Sequence, residues 1–189
     1  MVGLMGLILP LAVLALALLA SCAPARPLHG TTFSPPQTAR RFALIDQTGT
    51  PYVLAQKRDT FTALYFGFTH CKDVCPQTLA MLGKSRARAG IAPAQLPIVM
   101  VSVDPTRDTP RALRAFFAKA GVQAIGLTGT TSQLRPVYRA YGVAVRPEKH
   151  DIGHTDYIYV LDKDGRLREL LSPQTPIDAI AEDLRTIVE

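Results

Sequence analysis

Apolar and polar positions follow one another along the chain in blocks that change between strand and helix periodicity. Two nearly continuous apolar runs, Thr62–Phe68 and Leu96–Asp104, are typical of strands that are buried on both faces. A shorter run at Gln123–Leu127 predicts a further strand. Turn-forming residues separate two pairs of short runs and predict two hairpins, Phe42–Asp46 with Tyr52–Ala55 and Thr155–Leu161 with Leu167–Leu171.

Four helices are predicted between and after these strands, because apolar residues recur there at spacings of three and four. Proline near the start, Ser or Thr as a cap, and glycine after the end mark their limits. The order of elements, ββ-β-α-β-α-β-α-β-β-α, predicts an α/β fold with a parallel centre and an antiparallel hairpin closing one edge. The residues that mark the helix limits are Pro76 and Gly90 for the first helix, Thr109 and Gly121 for the second, Ser132 and Tyr141 for the third (with Pro136 inside), and Thr175 for the start of the fourth.

The amino-terminal segment has a different pattern, since residues 2–20 are apolar without a single charge. Small residues directly before Cys22 make residues 1–21 resemble a bacterial lipoprotein signal peptide, with Cys22 as the acylated residue. No Lys or Arg precedes the apolar run, so an uncleaved membrane anchor is the alternative. Residues 22–38, rich in proline, are expected to be a tether. Residues 39–189 would then form an extracytoplasmic, membrane-anchored domain.

The amino-acid composition limits the kinds of molecule that this protein is expected to bind. The 189 residues carry 21 Lys and Arg against 15 Asp and Glu, a net charge of +6. The basic residues are spread along the chain without a cluster of five or six, so nucleic acid is not expected as a partner. The length suits one domain with a sizeable core.

Two cysteines in the folded body, Cys71 and Cys75, lie at the turn from a predicted strand into a predicted helix. We expect Cys75 at the N-cap and Cys71 in the preceding loop, where unpaired N–H groups and the helix dipole favour thiolates. On a helix, Cβ atoms four residues apart are roughly 5 to 6 Å apart, whereas a disulfide needs about 3.5 to 4.5 Å. This spacing favours a metal site, while a redox pair or a structural disulfide stays open.

A third ligand would have to be a histidine. His29 falls in the tether, and His70 next to Cys71 is expected to be an ordinary loop residue. His150 and His154 lie in a polar loop that leads into the predicted hairpin strand. In a thioredoxin-like architecture this loop approaches the cysteines, and His154 stands where a proline would otherwise cover them. Two thiolates and one imidazole form a soft donor set that suits copper, Cu(I) above all.

Three motifs resemble the Sco/SenC family of copper-binding, thioredoxin-fold proteins that assist the assembly of cytochrome c oxidase. They are FGFTHCKDVCPQTL at Phe66–Leu79, VSVDPTRDTP at Val101–Pro110, and the segment from His154 through DKDG. The resemblance implies a thioredoxin-like (peroxiredoxin-like) central sheet with flanking helices and an N-terminal β-hairpin extension. It also implies that Cys71, Cys75 and His154 bind copper, as Cu(I) or Cu(II). Lys72 and Gly153 depart from the usual family residues, proline and aspartate.

Two functions follow from this resemblance. The first is a metallochaperone that delivers copper to the dinuclear copper centre of cytochrome c oxidase subunit II. The alternative is a thiol-disulfide oxidoreductase in which Cys71 and Cys75 are the redox pair that reduces the cysteines of that centre. Whether the protein is an enzyme therefore stays open. The implied partners are subunit II, the membrane, and another periplasmic copper chaperone or a thiol reductant. Asp73 and Asp104 are expected to fix local turns.

Overall fold

A computed structural model describes residues 27–54, 60–149 and 151–189. The predicted signal peptide, Cys22 and His150 lie outside the described residues. The described chain contains ten strands and four helices. The strands are β1 Thr31–Thr38, β2 Ala43–Asp46, β3 Pro51–Val53, β4 Thr62–Gly67, β5 Ile98–Ser102, β6 Ile125–Thr128, β7 Val145–Pro147, β8 Ile152–His154, β9 Ile158–Leu161 and β10 Arg166–Leu171. The helices are α1 Val74–Arg88, α2 Pro110–Ala120, α3 Thr131–Ala140 and α4 Ile177–Val188.

The main sheet has the strand order β1-β10-β9-β4-β5-β6-β2-β3. Strands β4, β5 and β6 are parallel neighbours, and every residue of β4 and β5 is buried. The parallel, buried centre predicted from the two apolar runs is therefore present. Antiparallel strands close both edges, β9 and β10 on one side and the β2–β3 hairpin on β6, where the sequence predicted closure at one edge.

Most of the helices begin and end close to the residues that the sequence indicated. The Thr109 side chain accepts a hydrogen bond from the Ala112 N–H at 3.2 Å, and Gly121 ends α2 with a positive φ of 63°. Gly126 allows α2 to lie close to the sheet, because a Cβ there would be 2.5 Å from the Phe117 ring. Helix α3 continues through Pro136 and begins with a capping box formed by Thr130 and Gln133.

The segment assigned to the tether differs most from expectation. Thr31–Thr38 forms an edge strand that pairs antiparallel with β10, with an irregularity between Thr32 and Gln37. This segment carries no strand signal, because two prolines break the pattern and hydrophobic alternation is absent. Proline is tolerated in a strand at a sheet edge or at a bulge, and β1 has both features. The folded domain therefore begins before residue 39.

No helix in the described ranges combines the length and the apolar character that crossing a membrane requires.

Candidate metal centre

The two cysteines lie where the central strand β4 leads into α1. Helix α1 begins at Val74, so Cys75 is its second residue, not the N-cap that the sequence predicted. Asp73 occupies the N-cap position without a side-chain capping bond. The Cys71 sulfur takes over that role, because it accepts a hydrogen bond from the Cys75 N–H at 3.2 Å. The helix can thus begin earlier than its residue types suggest.

The environment of Cys71 stabilises a thiolate. A hydrogen bond from the Cys75 thiol, together with the backbone N–H groups of Cys75, Asp73 and Val74, lowers the pKa of Cys71 to about 6 against the opposing effect of burial. These N–H groups belong to the first turn of α1, where the helix dipole also favours negative charge. At neutral pH, Cys71 is therefore the more acidic and more nucleophilic sulfur of the pair.

Cys75 behaves in the opposite way. Its side chain is completely buried. Hydrogen bonding to Cys71 and then burial raise the pKa of Cys75 well above its usual range, although the Phe68 backbone and the Tyr65 hydroxyl oppose this. The Tyr65 hydroxyl donates to the Cys75 sulfur at 3.7 Å. The pair is asymmetric, with a half-buried thiolate at Cys71 and a buried thiol at Cys75. Both cysteines are free in this structure.

Gly67, the last residue of β4, makes room for the Cys75 sulfur. A Cβ at this position would lie 2.8 Å from Cε1 of Tyr65 and 3.2 Å from both the Cys75 Sγ and the Met100 Sδ. The first of these distances is a clash, and the other two are tighter than ordinary contacts. Glycine is required here for close approach, and it lets the sulfur lie directly against the end of the strand.

His154 reaches the same place from a strand that the sequence did not predict. It is the last residue of β8, which pairs with β7 in a separate two-stranded sheet where Val145 lies opposite His154. Its Nδ1 is 2.9 Å from the Thr155 carbonyl oxygen. A carbonyl can only accept, so Nδ1 is the donor, and in a neutral imidazole Nε2 is then the nitrogen with a lone pair.

Aromatic rings connect His154 to the cysteine loop. The His154 ring packs edge to face against Tyr65 and Phe68, with centroid separations of 6.4 and 5.9 Å. Since the hydroxyl of Tyr65 also contacts the Cys75 sulfur, Tyr65 adjoins both a predicted sulfur ligand and the predicted nitrogen ligand. The fold places His154 one side chain away from Cys75, although the ligand atoms of Cys71, Cys75 and His154 do not all lie within 4.8 Å of one another.

Asp108 supports the cysteine loop, and the sequence analysis did not single it out. Its buried carboxylate accepts hydrogen bonds from the Thr69 N–H and hydroxyl at 3.1 and 2.6 Å, and from the Ser102 hydroxyl at 2.6 Å. It thereby joins the residue two before Cys71 to the end of β5. The residues Asp-Thr-Pro before α2 were visible in the sequence as a helix start, but the burial of this aspartate was not.

His70 lies with Asp104 and Asp108 in a cluster whose ligand atoms are all within 4.8 Å of one another. The carboxylates already have partners, since Asp104 forms an ion pair with Arg107 and Asp108 binds Thr69 and Ser102. The Asp104 carbonyl also accepts from the Arg107 and Asp108 N–H groups. The structure therefore confirms that Asp104 fixes the loop after β5, and it gives the cluster a structural role.

The donor set fits copper. Cys71 supplies a sulfur whose pKa is lowered, Cys75 supplies a second sulfur beside it, and His154 supplies an imidazole whose Nδ1 faces the Thr155 carbonyl. Thiolate and imidazole ligands suit Cu(I) and are poor ligands for hard cations such as Mg²⁺ or Ca²⁺.

Known proteins resemble this chain in both sequence and fold. A profile of the family described as SCO1/SenC matches residues 31–189. The mitochondrial SCO2 homolog of Bos taurus is 33% identical over 154 residues, 76% of this chain and 57% of that protein. The structure of Bradyrhizobium japonicum ScoI with copper bound is 29% identical, with a TM-score of 0.71 over 79% of this chain and 99% of that one. A SCO1/SenC family lipoprotein from Bacillus anthracis is 25% identical, with a TM-score of 0.72 over 82% of this chain and 96% of that one.

These likenesses confirm the thioredoxin-like fold predicted from the sequence, and they confirm copper as the metal that homologous proteins bind. The family match begins at Thr31, which agrees with the start of β1 rather than with a domain beginning at residue 39. This chain spans little more than half the length of its bovine relative.

Proposed function

This chain belongs to the SCO1/SenC family, and from that premise we propose that it is a copper metallochaperone. Its cargo would be delivered to the dinuclear copper centre of cytochrome c oxidase subunit II. The observation that carries the proposal is that Cys71 and Cys75 lie together at the start of α1, while His154 packs against Tyr65, whose hydroxyl contacts the Cys75 sulfur. Copper-bound Bradyrhizobium japonicum ScoI, which shares the fold, supports it.

The two unlike sulfurs suggest an order of copper capture. Cys71 is half-exposed and acidic, so it would receive Cu(I) from a donor protein first. Cys75 would then bind as its thiol proton is released to solvent, and His154 would complete the site through Nε2. Delivery would reverse these steps, with the partner's ligands replacing those of this chain one at a time. No change in the oxidation state of copper is needed.

The alternative function, reduction of the partner's cysteines, is supported by the same asymmetry. The Cys71 thiolate would attack a disulfide of subunit II and form a mixed disulfide, and one partner sulfur would leave as a thiolate. Cys75, once deprotonated, would attack the Cys71 sulfur and release the second partner thiolate. Two electrons pass to the partner, and a Cys71–Cys75 disulfide remains. A thiol reductant would be needed to restore the pair for another cycle.

Location forms a further part of the proposal. We assign residues 1–21 to a lipoprotein signal and Cys22 to acylation, with the folded domain on the extracytoplasmic side of the membrane. The similar Bacillus anthracis protein is a lipoprotein, which supports this assignment. A membrane-anchored copper carrier would be held near the integral membrane complex that it serves. Its other partners would be a periplasmic copper donor and, for the redox function, a thiol reductant.

The test of the proposed function is His154→Ala with His70→Ala as its control. Both variants lose a histidine near the cysteines, but the His154 ring packs against Tyr65, which contacts Cys75, whereas His70 lies in the cluster with Asp104 and Asp108. Anaerobic Cu(I) titration with X-ray absorption should show a lost nitrogen neighbour and at least tenfold weaker binding for His154→Ala alone. A Cys71–Cys75 disulfide should still form in this variant.

Two results would count against metal transfer. Unchanged copper coordination in His154→Ala would remove the proposed ligand set. Normal oxidase assembly in a strain carrying His154→Ala, despite weakened copper binding, would favour the thiol-disulfide function, because that reaction needs only Cys71 and Cys75.

A further inference from the structure

An open groove lies between α3 and the segment that leads into β2. Its volume is about 600 Å³. Three arginines line it, Arg40, Arg41 and Arg139, and none of the lining residues is acidic. Phe42 before β2 and Pro136 in α3 are among the apolar residues that line it. The groove therefore combines an apolar surface with three cations.

The three arginines have no acidic partner among the described residues. All three are exposed, and none takes part in an ion pair there. The two carboxylates that line a neighbouring cavity, Asp162 and Asp164, already pair with other arginines, in β10. Helix α3 contains no Asp or Glu. Three guanidinium groups around one groove create a positive potential that an anionic partner would offset.

The shape and the residue types of the groove favour a protein as that partner. An arginine guanidinium pairs with a carboxylate through two parallel hydrogen bonds. Arginine is also enriched among the residues that contribute most to protein–protein binding, where apolar contacts surround it. A concave and partly apolar surface fits a projecting protein segment better than a flat layer of lipid headgroups.

A short, hydrogen-bonded stretch of chain connects the groove to His154. Tyr141 directly follows α3, and its hydroxyl donates to the Arg40 carbonyl oxygen at 3.1 Å. Three residues later, Ala144 exchanges two hydrogen bonds of 3.0 Å with Thr155, the residue after His154. The groove and the strand that carries His154 are therefore the two ends of one continuous structure.

A single partner could cover both places. Ala140 lines the groove, and Val145 lies opposite His154 in the small sheet. The chain from Ala140 to Val145 reaches at most about 18 Å when fully extended. A protein interface of ordinary size buries about 800 Å² on each partner, and a round patch of that area is about 30 Å across.

We propose that this groove is the docking surface for an acidic segment of the protein that receives copper. This inference rests on the proposed function, in which cytochrome c oxidase subunit II is the recipient. The groove contains none of the proposed ligands, so it acts on the encounter of the two proteins and not on copper binding. Attraction between opposite charges raises the association rate and weakens as the ionic strength increases.

The test measures Cu(I) transfer from the loaded protein to the copper-free soluble domain of subunit II. Arg139→Glu should slow transfer about tenfold at low ionic strength and flatten its dependence on salt. Arg139→Lys keeps the charge and should retain most of the rate. Both variants should bind Cu(I) as tightly as the unaltered protein, measured by competition with a chromophoric chelator.

Lys119→Glu is the matched control. Lys119 is exposed, lies in the last turn of α2 and is not part of the groove. The substitution makes the same change in net charge and should leave transfer nearly unchanged. Equal slowing by Lys119→Glu and Arg139→Glu would overturn the inference, and so would normal transfer by folded Arg139→Glu. If Arg139→Glu does not fold, Arg40→Glu takes its place with the same expected results.

Direct binding separates this inference from the proposed function. The copper-free protein should bind the subunit II domain in a salt-dependent manner, and Arg139→Glu should bind it more weakly. Such binding without copper transfer would support the docking surface and contradict the metallochaperone function. Transfer that responds neither to salt nor to Arg139→Glu would overturn the docking surface alone, and loss of both binding and transfer in the unaltered protein would overturn both.

A membrane surface is the other anion that could lie against these arginines. Vesicles of anionic lipid should not bind the Cys22→Ser protein through the groove. Vesicle binding that Arg139→Glu abolishes, together with no binding to the subunit II domain, would assign the groove to lipid headgroups and overturn the inference.

Discussion

At the scale of single residues, the site depends on how little space surrounds the Cys75 sulfur. Gly67→Ala would place a methyl group 2.8 Å from the Tyr65 ring and 3.2 Å from the sulfur, so either the ring or α1 must shift. We expect a loss of about 1–3 kcal/mol in unfolding free energy, the usual cost of overpacking, and weaker Cu(I) binding. Chemical denaturation and chelator competition measure the two effects.

Gly83→Ala in α1 is the control for this substitution. A Cβ at Gly83 meets nothing closer than a Val122 methyl at 3.9 Å, so alanine there should be neutral or stabilise the helix by about 0.5–1 kcal/mol. Equal destabilisation by the two substitutions would show that the close contact at position 67 has no special importance.

At the scale of elements, β1 is attached through buried charged groups as well as backbone pairing. The carboxylate of Glu169 in β10 accepts from the Gly30 N–H at 2.7 Å, and that of Asp183 in α4 accepts from the His29 N–H at 3.1 Å and lies 2.8 Å from the His29 Nδ1. Both carboxylates are buried. Burial and then the neighbouring Asp183, against the Gly30 bond, raise the pKa of Glu169 to about 7.

Stability should therefore fall as the pH rises from about 4.5 to 7. The ordinary pKa of a glutamate is 4.5, so over this range the unfolded chain loses the proton of Glu169 while the folded protein keeps it. The hydrogen bond to Asp183 raises the pKa of His29 above 6.5, and its stabilising effect is also lost as the pH rises through that value. Denaturation of Glu169→Gln at a series of pH values should show a flatter dependence.

Asp178→Asn is the control. Asp178 is an exposed carboxylate of α4, the helix that also contains Asp183, and among the described residues it is paired only with Arg88. It should leave the pH dependence unchanged. Hydrogen exchange in β1 should follow the same pH profile as the stability. A pH dependence that persists in Glu169→Gln would mean that another group is responsible.

Features that depend on neighbouring residues in the chain could be predicted from the sequence, whereas features that depend on distant segments could not. Strands β4 and β5 and the ends of α2 were predictable, since apolar runs, Thr109 and Gly121 act within their own segments. Strand β1 was not, because its proline-rich sequence becomes a strand only when β10 offers an edge. The proposed ligands Cys71, Cys75 and His154 were candidates from residue type and family motifs. The roles of Tyr65, Gly67 and Asp108 depend on which strands become neighbours, and no local pattern records that.

At the scale of the whole molecule, β1 shortens the connection between the proposed lipid anchor and the fold. The sequence predicted a tether over residues 22–38, but Thr31–Thr38 belongs to the sheet and His29 is bound to Asp183. Residues 22–30 could span at most about 30 Å when fully extended. If Cys22 is acylated, the copper site is held closer to the membrane than a long flexible tether would allow.

The proposed lipid anchor and the proposed copper site lie in separate parts of the chain. Cys22→Ser should abolish acylation and leave the exported protein in the soluble fraction, with unchanged Cu(I) affinity, because the proposed ligands all lie between residues 71 and 154. Oxidase assembly should fall nonetheless, since the carrier would no longer be concentrated at the membrane. Membrane fractionation, metabolic labelling with a fatty acid and copper titration measure these effects. A Cys22→Ser protein that still fractionates with membranes would instead favour an uncleaved amino-terminal helix as the anchor.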